Sequence, residues 1–570
     1  MKAKKIVRIN TRTKKITSSL EKNLKTGGRM LTSSIIASEV DPKTDPLGAA
    51  NKLVIAGMIP AGTTITGSYR LSVGFKSPLT GGIKESNVGG TPGFFMFGQG
   101  IKAIIFEDKP EKAECNILVI ARDGSIRFEE APDLKDKGTY ETEEILRKKF
   151  GGKVGIMSIG PAGERGYLNS AIMATEMGLE RPCRAAARGG GGAVMGSKGL
   201  KAIVVHEADN PYKVEYADKD AYFPLTKAIN QAAMKSPYNT VGTMMLIGTT
   251  IPRGIAPYRN FSGGVATSEE QEQYNIQGLT ARVKEHGGFT GHACQPGCVI
   301  KCSNAFYQKD GTFLTGGFEY ETIELAGPNC GIFDYETIAH IDRFCDDFGF
   351  DTIEFGVTLG IYLDCGKMPW GDYGAVMKLL ENLRKDAELA ANFGVGADRL
   401  GKKLGAKHIP AVKGQAIAAY DPRNLKGTGT TYAISPMGGD HTAGNTLANQ
   451  TLVHHEKAGQ VDASVGLQSL ILLADSNMCV FGWGNIMKFA DAEYFKALSA
   501  VFGEPCTKEE MLGAALDVLK KEVAFNRAAG IGQDQDKLPD YFYSEPAQPT
   551  NAVYDIAAEE IAEKWHKLVG

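Results

Sequence analysis

The spacing of apolar residues changes once along the chain, near residue 208, and this change constrains the fold more than any other feature. Before it, short runs of branched apolar residues alternate with glycine turns, as β-strands do. The clearest runs are KLVIAGMI, KAIIFED, CNILVIA and LKAIVVH. After it, apolar residues recur at helical spacing, as in KDAYFPLTKAINQAAM and ETIAHIDRFCDDFG. The sequence therefore predicts an α+β protein, with a mostly β N-terminal domain followed by two mainly α-helical domains.

Domain boundaries can be placed along the chain. Its 570 residues exceed what one hydrophobic core supports. The change of periodicity and a second break near Gly401 to Gly405 and Pro410 predict domains at 1–208, 209–405 and 406–570. Two further runs, AVMKLLENLRKDAELAANFG and KEEMLGAALDVLKKEVAFN, are helical in period, and Gly349 is expected as a helix C-cap. Alternating lysines and isoleucines in the first 25 residues predict an amphipathic hairpin.

Composition excludes several classes of protein. With 43% apolar and 23% charged residues and a formal net charge of -2, the chain reads as a globular protein without the basic stripe that nucleic-acid binding needs. No run of about 18 apolar residues exists, so no membrane span is expected. Nothing at the N-terminus reads as an export signal, and ten cysteines are ordinary usage. We therefore expect a cytoplasmic protein without disulfides.

Three cysteines at four-residue spacing stand out in the segment HACQPGCVIKC: Cys294, Cys298 and Cys302. Thiolates at close, regular spacing suit an iron–sulfur cluster or zinc, and the Pro-Gly pair between them lets the chain wrap around one centre. Cys479, in ADSNMCVF, is the best remote candidate for a fourth ligand. The spacing favours a [4Fe-4S] cluster, while structural zinc stays open because zinc sites more often use CxxC pairs or add histidine.

Glycines are unevenly distributed. The chain has 69 glycines, and they are densest in a few segments, notably near 66–82, 87–93 and 188–202. Such loops let backbone N–H groups approach a ligand closely, and Arg70, Arg188 and Lys198 beside them favour an anionic one such as phosphate. The alternative is a set of tight β-turns. Neither a Walker A motif nor a GxGxxG dinucleotide motif is present, so the loops indicate a different, large anionic cofactor.

Ten short blocks run in order along the chain, and the resemblance that they carry covers it from about residue 5 to 545. They are KSPLTGG (76–82), SNVGG (86–90), SIGPAGE (158–164), RAAARGGGGAVMGSKGLKAI (184–203), the cysteine segment, FEYET (318–322), CDDFGFDT (345–352), AYDPR (419–423), GGDH (438–441) and DSNMC (475–479). Together they resemble the tungsten-containing aldehyde ferredoxin oxidoreductases. The resemblance implies a tungsten ion held by two pyranopterins, a [4Fe-4S] cluster beside it and Mg²⁺ bridging the pterin phosphates, with the N-terminal domain binding the pterins.

The resemblance also implies which residues hold the cofactor. By motif position they are Arg70, Asn87, Gly89, Arg184, Ala187, Gly189, Asp346, Asp351 and Asp475. Carboxylates suit pterin rings, whose N–H donors they can accept in pairs. Taken alone, Asp346 and Asp351 would instead read as a solvated helix face or a helix cap. The cluster ligands implied here are Cys294, Cys298, Cys302 and Cys479.

Glu321 and His441 are the residues that the resemblance assigns to catalysis. Aldehyde oxidation needs a group that activates water or the hydrated carbonyl, and a donor that polarises the carbonyl oxygen. Glu321 matches the expected general base and His441 the expected hydrogen-bond donor. The alternatives are structural, with Glu321 paired to a buried arginine and His441 capping a turn.

The chain also departs from the family pattern. The family spaces its first cluster cysteines as CxxCxxxC, whereas here Gly291 stands at the first position and Cys302 is additional. Asp475 and Cys479 lie one residue closer than usual. His340 and Arg343 replace the ExxH pair that binds a bridging iron in some dimers, so we expect no such iron, and Ala443 replaces a lysine near the catalytic histidine. The chain therefore resembles a divergent member.

Three functions remain open from the sequence. The first is oxidation of a small aldehyde to the carboxylic acid, with ferredoxin or a small iron–sulfur subunit as acceptor and oligomerisation allowed. The second keeps the tungsten cofactor in a multi-subunit reductase that acts on an acid or an aromatic thioester. The third is a non-catalytic scaffold that holds zinc or a relay cluster.

Overall fold

The N-terminal region folds into two six-stranded sheets of mixed direction. The computed structural model describes residues 4–570, and the first three residues of the predicted first domain lie outside this range. The first sheet contains β1 (Lys4–Asn10), β2 (Ile16–Glu21), β3 (Leu53–Gly57), β4 (Leu71–Lys76), β5 (Ile83–Val88) and β6 (Ile101–Glu107), in the order β2-β1-β6-β3-β4-β5. The second contains β7 (Asn116–Ile120), β8 (Ile126–Glu130), β9 (Val154–Ser158), β10 (Ile172–Ala174), β11 (Arg184–Ala186) and β12 (Leu200–His206), in the order β11-β10-β9-β12-β7-β8.

The two sheets face each other across a shared core. Successive strand residues point to opposite faces, so Ile55 and Leu118 enter the core between the sheets, whereas Val54 and Ile117 face outwards. Helices cover these outer faces. The helices of this region are α1 (Gly28–Glu39), α2 (Pro92–Gly98), α3 (Thr139–Phe150), α4 (Pro161–Glu164) and α5 (Gly191–Ser197). Truncation of a core side chain such as Ile55 to alanine would cost about 2–5 kcal/mol.

The predicted N-terminal hairpin is confirmed. Strands β1 and β2 pair antiparallel, with Ile9 opposite Ile16, and β1 also pairs parallel to β6. Parallel pairing places β1 inside the sheet, where Val7 and Ile9 are buried.

The remaining chain is mainly helical, as predicted. Its helices are α6 (Lys219–Ala233), α7 (Ile247–Thr250), α8 (Ser268–Gln273), α9 (Ile276–Glu285), α10 (Tyr320–Ala326), α11 (Tyr335–Phe348), α12 (Thr352–Asp364), α13 (Tyr373–Lys385), α14 (Ala387–Gly394), α15 (Ala397–Leu404), α16 (Lys426–Ile434), α17 (Gln460–Asn477), α18 (Val480–Phe489), α19 (Asp491–Phe502), α20 (Lys508–Ala528), α21 (Tyr541–Ser544) and α22 (Ala558–Val569). Strands β13 (Phe289–His292), β14 (Ser303–Tyr307) and β15 (Phe313–Gly316) form a small sheet, and β16 (Ala411–Val412) pairs with β17 (Gln415–Ala416). Short 3₁₀ helices occur at Pro132–Leu134, Pro237–Asn239, Gly242–Leu246, Pro328–Cys330, His441–Ala443 and Gln533–Gln535.

Helix ends follow local sequence signals. Gly349 closes α11 at φ 85°, in the left-handed region that favours glycine, which confirms the predicted C-cap. The run from Ala375 to Gly394 is two helices, because the Asp386 carboxylate accepts the N–H groups of Glu388 and Leu389 at 3.0 Å and starts α14 there.

The hydropathy of the helices can be compared with a membrane span. Within residues 4–570, no single helix is long and apolar enough to cross a bilayer; α17 and α18 meet the length and composition only as a pair, bent by 111° at their junction.

Candidate active site

Buried ion pairs join the β-rich region to the helices at the predicted site. Lys84 of β5 contacts Asp440 at 2.5 Å, Arg188 contacts Asp351 at 3.1 Å, and Arg29 contacts Asp475 at 3.3 Å. In each pair the cation comes from the N-terminal region and the acid from the helical part. Two of the three acids, Asp351 and Asp475, were predicted as cofactor ligands, so the predicted site lies where the two parts of the chain meet.

The cysteines predicted as cluster ligands lie together. Cys294, Cys298, Cys302 and Cys479 are each no more than 9% exposed. Burial raises the pKa of Cys294 to about 12, with a further contribution from Cys298, and burial also raises the pKa of Cys298 and Cys302, to which the nearby Cys479 adds. The Cys479 amide donates to the Gly67 carbonyl at 3.1 Å, so the fourth cysteine sits against the first glycine loop. Among the described residues, no three His, Cys, Asp or Glu side chains lie close enough to bind a single metal ion.

Arg70, Asn87 and Gly89 lie beside this group of cysteines. The Arg70 guanidinium donates to the side-chain oxygen of Asn87 and, at 3.0 Å, to its carbonyl. A Cβ at Gly89 would lie 3.2 Å from Sγ of Cys294 and 3.3 Å from Nη1 of Arg70. A side chain there would be in tight contact with both groups, so the backbone of the second glycine loop approaches both the thiol and the guanidinium.

Arg184 also lies near Cys294. Its guanidinium contacts Glu176 and Glu319 at 2.9 Å each and donates to the Ser303 hydroxyl. Three side-chain partners already hold this guanidinium in place, and the charge of Arg184 lowers the pKa of the Cys294 thiol against the effect of burial. Arg184 thus supports the cysteine segment directly.

The third glycine loop packs on strand β5. Gly189 has φ 86°, and a Cβ there would lie 2.5 Å from Cγ of Lys84. Its carbonyl accepts a hydrogen bond from the Ser77 hydroxyl at 2.7 Å. Ala187, two residues earlier, is half-buried. This loop therefore brings backbone groups up to Lys84, the lysine that pairs with Asp440.

Asp351 caps helix α12 and also faces Arg188. Its Oδ1 accepts the Ile353 amide at 3.0 Å, which is the capping role that the sequence left open as an alternative. Its Oδ2 lies 3.1 Å from Nε of Arg188 without the alignment of a hydrogen bond. Burial raises the pKa of Asp351 while Arg188 lowers it. Oδ1 of Asp351 thus caps the helix, and Oδ2, which accepts no hydrogen bond, can accept one from a ligand.

Asp475 belongs to a buried group of charges near Arg70. Burial raises its pKa to about 6, against the effects of Arg29 and Arg70. Glu85 of β5 is its neighbour, and burial together with the Asp475 charge raises the pKa of Glu85 to about 8. Arg29 also forms a two-point ion pair with Glu522, at 2.8 and 3.0 Å. Two carboxyl groups with raised pKa values can therefore hold a proton next to the first glycine loop.

Asp346 lies on α11, 6% exposed. Burial raises its pKa well above the ordinary value, the nearby Asp342 raises it further, and Arg343 and Arg184 oppose them. Asp342 itself accepts the Thr315 hydroxyl at 2.6 Å. Asp346 is therefore a buried acid near Arg184, and it does not lie on a solvated face of the helix.

Glu321 and His441 form a pair, as their predicted roles require. Nε2 of His441 lies 3.2 Å from Oε1 of Glu321, and the Ala419 amide donates to Oε2 of Glu321 at 2.8 Å. The two side chains are 17% and 15% exposed, and the ring of Tyr420 lies 5.5 Å from the imidazole. Among the described residues no arginine forms an ion pair with Glu321, although the charge of Glu321 contributes to the raised pKa of the buried Arg188. Asp440, rather than His441, caps the turn at Thr442.

Sequence reasoning missed part of this site. Arg188 was noted only as a basic neighbour of a glycine loop, and Lys84, Glu85 and Asp440 were not singled out. The sequence of β5 indicates two of them, because Lys84 and Glu85 are adjacent charged residues within a mostly buried strand. Charges in a buried strand need partners from elsewhere in the fold.

Comparison with known proteins shows the family of the chain. The class of protein is an oxidoreductase, as its family matches and sequence relatives show. Residues 6–207 match the family model "Aldehyde ferredoxin oxidoreductase, N-terminal domain", and residues 224–570 match "Aldehyde ferredoxin oxidoreductase, domains 2 & 3". The tungsten-containing aldehyde ferredoxin oxidoreductases of Pyrococcus furiosus and Thermococcus kodakarensis are each 30% identical, over 95% of this chain and 91% of their own. The chain therefore belongs to the aldehyde ferredoxin oxidoreductase family, which confirms the resemblance drawn from its sequence blocks.

More distant relatives share the fold or part of the sequence. The WOR-like subunit of the aliphatic sulfonate oxidoreductase of Pyrococcus furiosus is 26% identical over 73% of this chain and 70% of its own. The active-site complex BamBC of benzoyl-coenzyme A reductase superposes with a TM-score of 0.81 at 18% identity, over 100% of this chain and 95% of that one. This superposition confirms the fold.

Proposed function

We propose that the protein oxidises an aldehyde to the carboxylic acid at a bis-pyranopterin tungsten centre. In this proposal the electrons leave singly through a [4Fe-4S] cluster to ferredoxin or to a small iron–sulfur subunit. The observation that carries the proposal is the 3.2 Å approach of His441 to Glu321, an acid–base pair that is only partly buried and lies among the glycine loops and acids of the cofactor site. The choice of tungsten rests on the names of the relatives, which are described as tungsten-containing.

The residues present fit a large ligand with many hydrogen bonds. Among the described residues, buried polar atoms without a hydrogen-bond partner include Nε and Nη1 of Arg188, Oδ2 of Asp351, Oε1 of Glu321 and Nδ1 of His441. An unpaired buried polar atom costs about 1–3 kcal/mol. A pterin, with ring N–H donors and phosphate oxygens, can pair with acids and guanidinium groups alike. These unpaired polar atoms are therefore suited to such a ligand.

Each part of the cofactor has candidate ligands. Cys294, Cys298, Cys302 and Cys479 would hold the cluster. The pterins and a bridging Mg²⁺ would lie against Arg70, Asn87, Gly89, Arg184, Ala187, Gly189, Asp346, Asp351 and Asp475, to which we add Arg188. When bound, the tungsten centre accepts two electrons from the substrate and the cluster transfers them one at a time.

The protein's own side chains handle the proton and the carbonyl oxygen. The Ala419 N–H fixes Oε2 of Glu321, so Oε1 faces His441 and is free to accept a proton from water or from the hydrated aldehyde. The imidazole of His441 can donate to the substrate oxygen as charge develops on it. Asp440, which Lys84 and Arg188 keep ionised at a lowered pKa despite burial, precedes His441 and anchors its turn.

The proposed location is the reducing cytoplasm. All ten cysteines, which lie within the described residues, are free thiols, and a low-potential cluster needs a reducing compartment.

An assay with purified protein separates this function from its alternative. Protein purified without oxygen should reduce benzyl viologen with small aldehydes and release the acid. A reductase subunit acting on an acid or an aromatic thioester would contain the same cofactor but show no aldehyde-dependent dye reduction, and would oxidise reduced viologen only with its own substrate.

A further inference from the structure

Glu176 is a buried carboxylate that the predicted site does not include. It follows strand β10 of the N-terminal region and is 0% exposed. Its two oxygens accept hydrogen bonds from Nε of Arg184 at 2.9 Å, the Ser303 hydroxyl at 3.0 Å, the Cys183 thiol at 3.3 Å and Nε2 of His292. Hydrogen bonds to a charged group are roughly twice as strong as neutral ones. Glu176 therefore holds donors from both the N-terminal region and the cysteine segment.

His292 and Ser303 stand at the two ends of the segment that carries the three regularly spaced cysteines. They are partners in the register between β13 and β14, and the residues between them, 293–302, form the cysteine loop. Both side chains donate to the same oxygen of Glu176, Oε1. One carboxylate oxygen therefore joins the two ends of the cysteine loop.

Backbone contacts also connect the cysteine loop to the N-terminal region. The amide of Met177, the residue after Glu176, donates to the carbonyl of Cys294 at 3.1 Å. The Val299 amide donates to the Thr66 hydroxyl at 2.9 Å. Because the loop consists of turns and irregular backbone, its shape depends on such contacts. The segment around Glu176 supplies several of them.

Glu176 also orients Arg184, which was predicted as a pterin ligand. The Nη1 group of Arg184 donates to Glu319 at 2.9 Å, while its Nε is held by Glu176. Glu319 immediately precedes α10, the helix that carries Glu321, and its other oxygen accepts the Thr243 hydroxyl at 2.5 Å. Hydrogen bonds therefore connect the cysteine loop, Arg184 and the start of the helix that carries the predicted base.

We propose that Glu176 is a positioning residue that holds the cysteine loop closed and fixes it against Arg184. The inference deepens the proposed function, because it rests on the four cysteines as cluster ligands and on Arg184 as a pterin ligand. In Glu176→Gln an amide NH₂ group replaces one acceptor oxygen, and it cannot accept from the donors that face it. The loop then loses contacts at its two ends. Groups that orient metal ligands in this way contribute about 10- to 100-fold to metal affinity.

The first test depends on neither metal content nor activity. Hydrogen–deuterium exchange of the full-length protein, measured by mass spectrometry, should be about tenfold faster in Glu176→Gln than in the wild type for peptides that cover residues 292–303. Glu143→Gln is the matched control, because Glu143 is also buried and its partners Thr175 and Arg147, at 2.7 and 2.8 Å, belong to the N-terminal region. Wild-type exchange of the loop in Glu176→Gln, or equal acceleration in Glu143→Gln, would overturn the proposal.

The second test uses protein that contains its cluster. At a temperature at which circular dichroism shows a folded protein, a chelator should remove iron about 10- to 100-fold faster from Glu176→Gln than from the wild type. The midpoint potential of the cluster should also shift, which a loss of stability alone would not cause. Ser303→Ala, which removes one donor, should give a smaller effect of the same kind, whereas Glu381→Gln on the exposed face of α13 should match the wild type. Unchanged iron release and potential in Glu176→Gln would contradict the positioning role.

The two tests also separate this proposal from the proposed function. A wild type without an iron cluster, whose loop still exchanges faster in Glu176→Gln, would reject the proposed function and support the closure of the loop by Glu176. A wild type with the cluster and an unaffected Glu176→Gln would do the reverse. If Glu176→Gln does not fold, Ser303→Ala and His292→Ala decide by the same measurements: faster exchange and iron release would support the proposal, and wild-type values would overturn it.

Discussion

Nε2 of His441 lies 3.2 Å from Oε1 of Glu321, and these facing atoms come from different elements, helix α10 and a 3₁₀ helix in the C-terminal third of the chain. The other oxygen of Glu321 is fixed by the Ala419 amide. The fold thus holds a carboxylate oxygen and an imidazole nitrogen side by side. The fold therefore positions both side chains that the proposed acid–base chemistry needs.

Replacing Glu321 by glutamine should remove the proton acceptor while it keeps the volume of the side chain. We expect kcat for aldehyde oxidation to fall about 10²- to 10⁴-fold, with tungsten and iron content unchanged. Steady-state kinetics with metal analysis of the same samples checks this, with Glu381→Gln as the control. A Glu321→Gln variant with wild-type kcat would remove the residue from the mechanism.

The altered cysteine spacing is tested with Cys302. Cys302→Ser should lose cluster iron, because a serine hydroxyl is a poor substitute for thiolate. Cys330, which is fully buried but lies outside the group of four, provides the matched control, and Cys330→Ser should keep its iron. Iron content and the electron paramagnetic resonance signal of the reduced cluster report the outcome. Full iron content in Cys302→Ser would mean that another residue completes the cluster.

The close approach at Gly89 is tested by adding one methyl group. In Gly89→Ala, the new Cβ would lie 3.2 Å from Cys294 and 3.3 Å from Arg70, so one of them must move and cofactor content should fall. Gly98→Ala is the control, because a Cβ at Gly98 would meet no described atom within 4 Å. Thermal unfolding and metal content distinguish the two. Equal tungsten content in both variants would show that the second glycine loop does not touch the cofactor.

The apo protein should lose stability as the pH rises from about 5 to 8. Asp475 and Glu85 have folded-state pKa values raised to about 6 and about 8, so the folded state binds more protons than the unfolded state in this range. The stability that these protons supply is complete below the unfolded pKa and is lost as the pH passes the raised values, by up to roughly 1.4 kcal/mol per pH unit for each group.

Urea unfolding of apo protein at several pH values measures this slope. Glu85→Gln should flatten it, because the amide carries no titrating proton, and Glu381→Gln should leave it unchanged. An identical slope in Glu85→Gln and the wild type would rule out a buried proton at this pair.

Much of the fold could be predicted from local signals. The runs around Ile55 and Leu118 are short, apolar and rich in branched residues, as buried strands are. Helix α11 has both a helical period and a terminal glycine. The pairings between distant segments could not be predicted in this way. Neither the contact of Arg188 with Asp351 nor the burial of Asp346 follows from helical spacing, because the period shows that a face is buried but not which residues of another element meet it. Arg184 shows the same limit, since its partners Glu176 and Glu319 lie on different elements.

Metal analysis of protein purified without oxygen tests the central claim most directly. Mass spectrometry should find about one tungsten and about four irons per chain, with little zinc or molybdenum, in wild-type protein from cells supplied with all four metals. Zinc alone, without tungsten or molybdenum, would contradict the account and favour a structural role for the four cysteines.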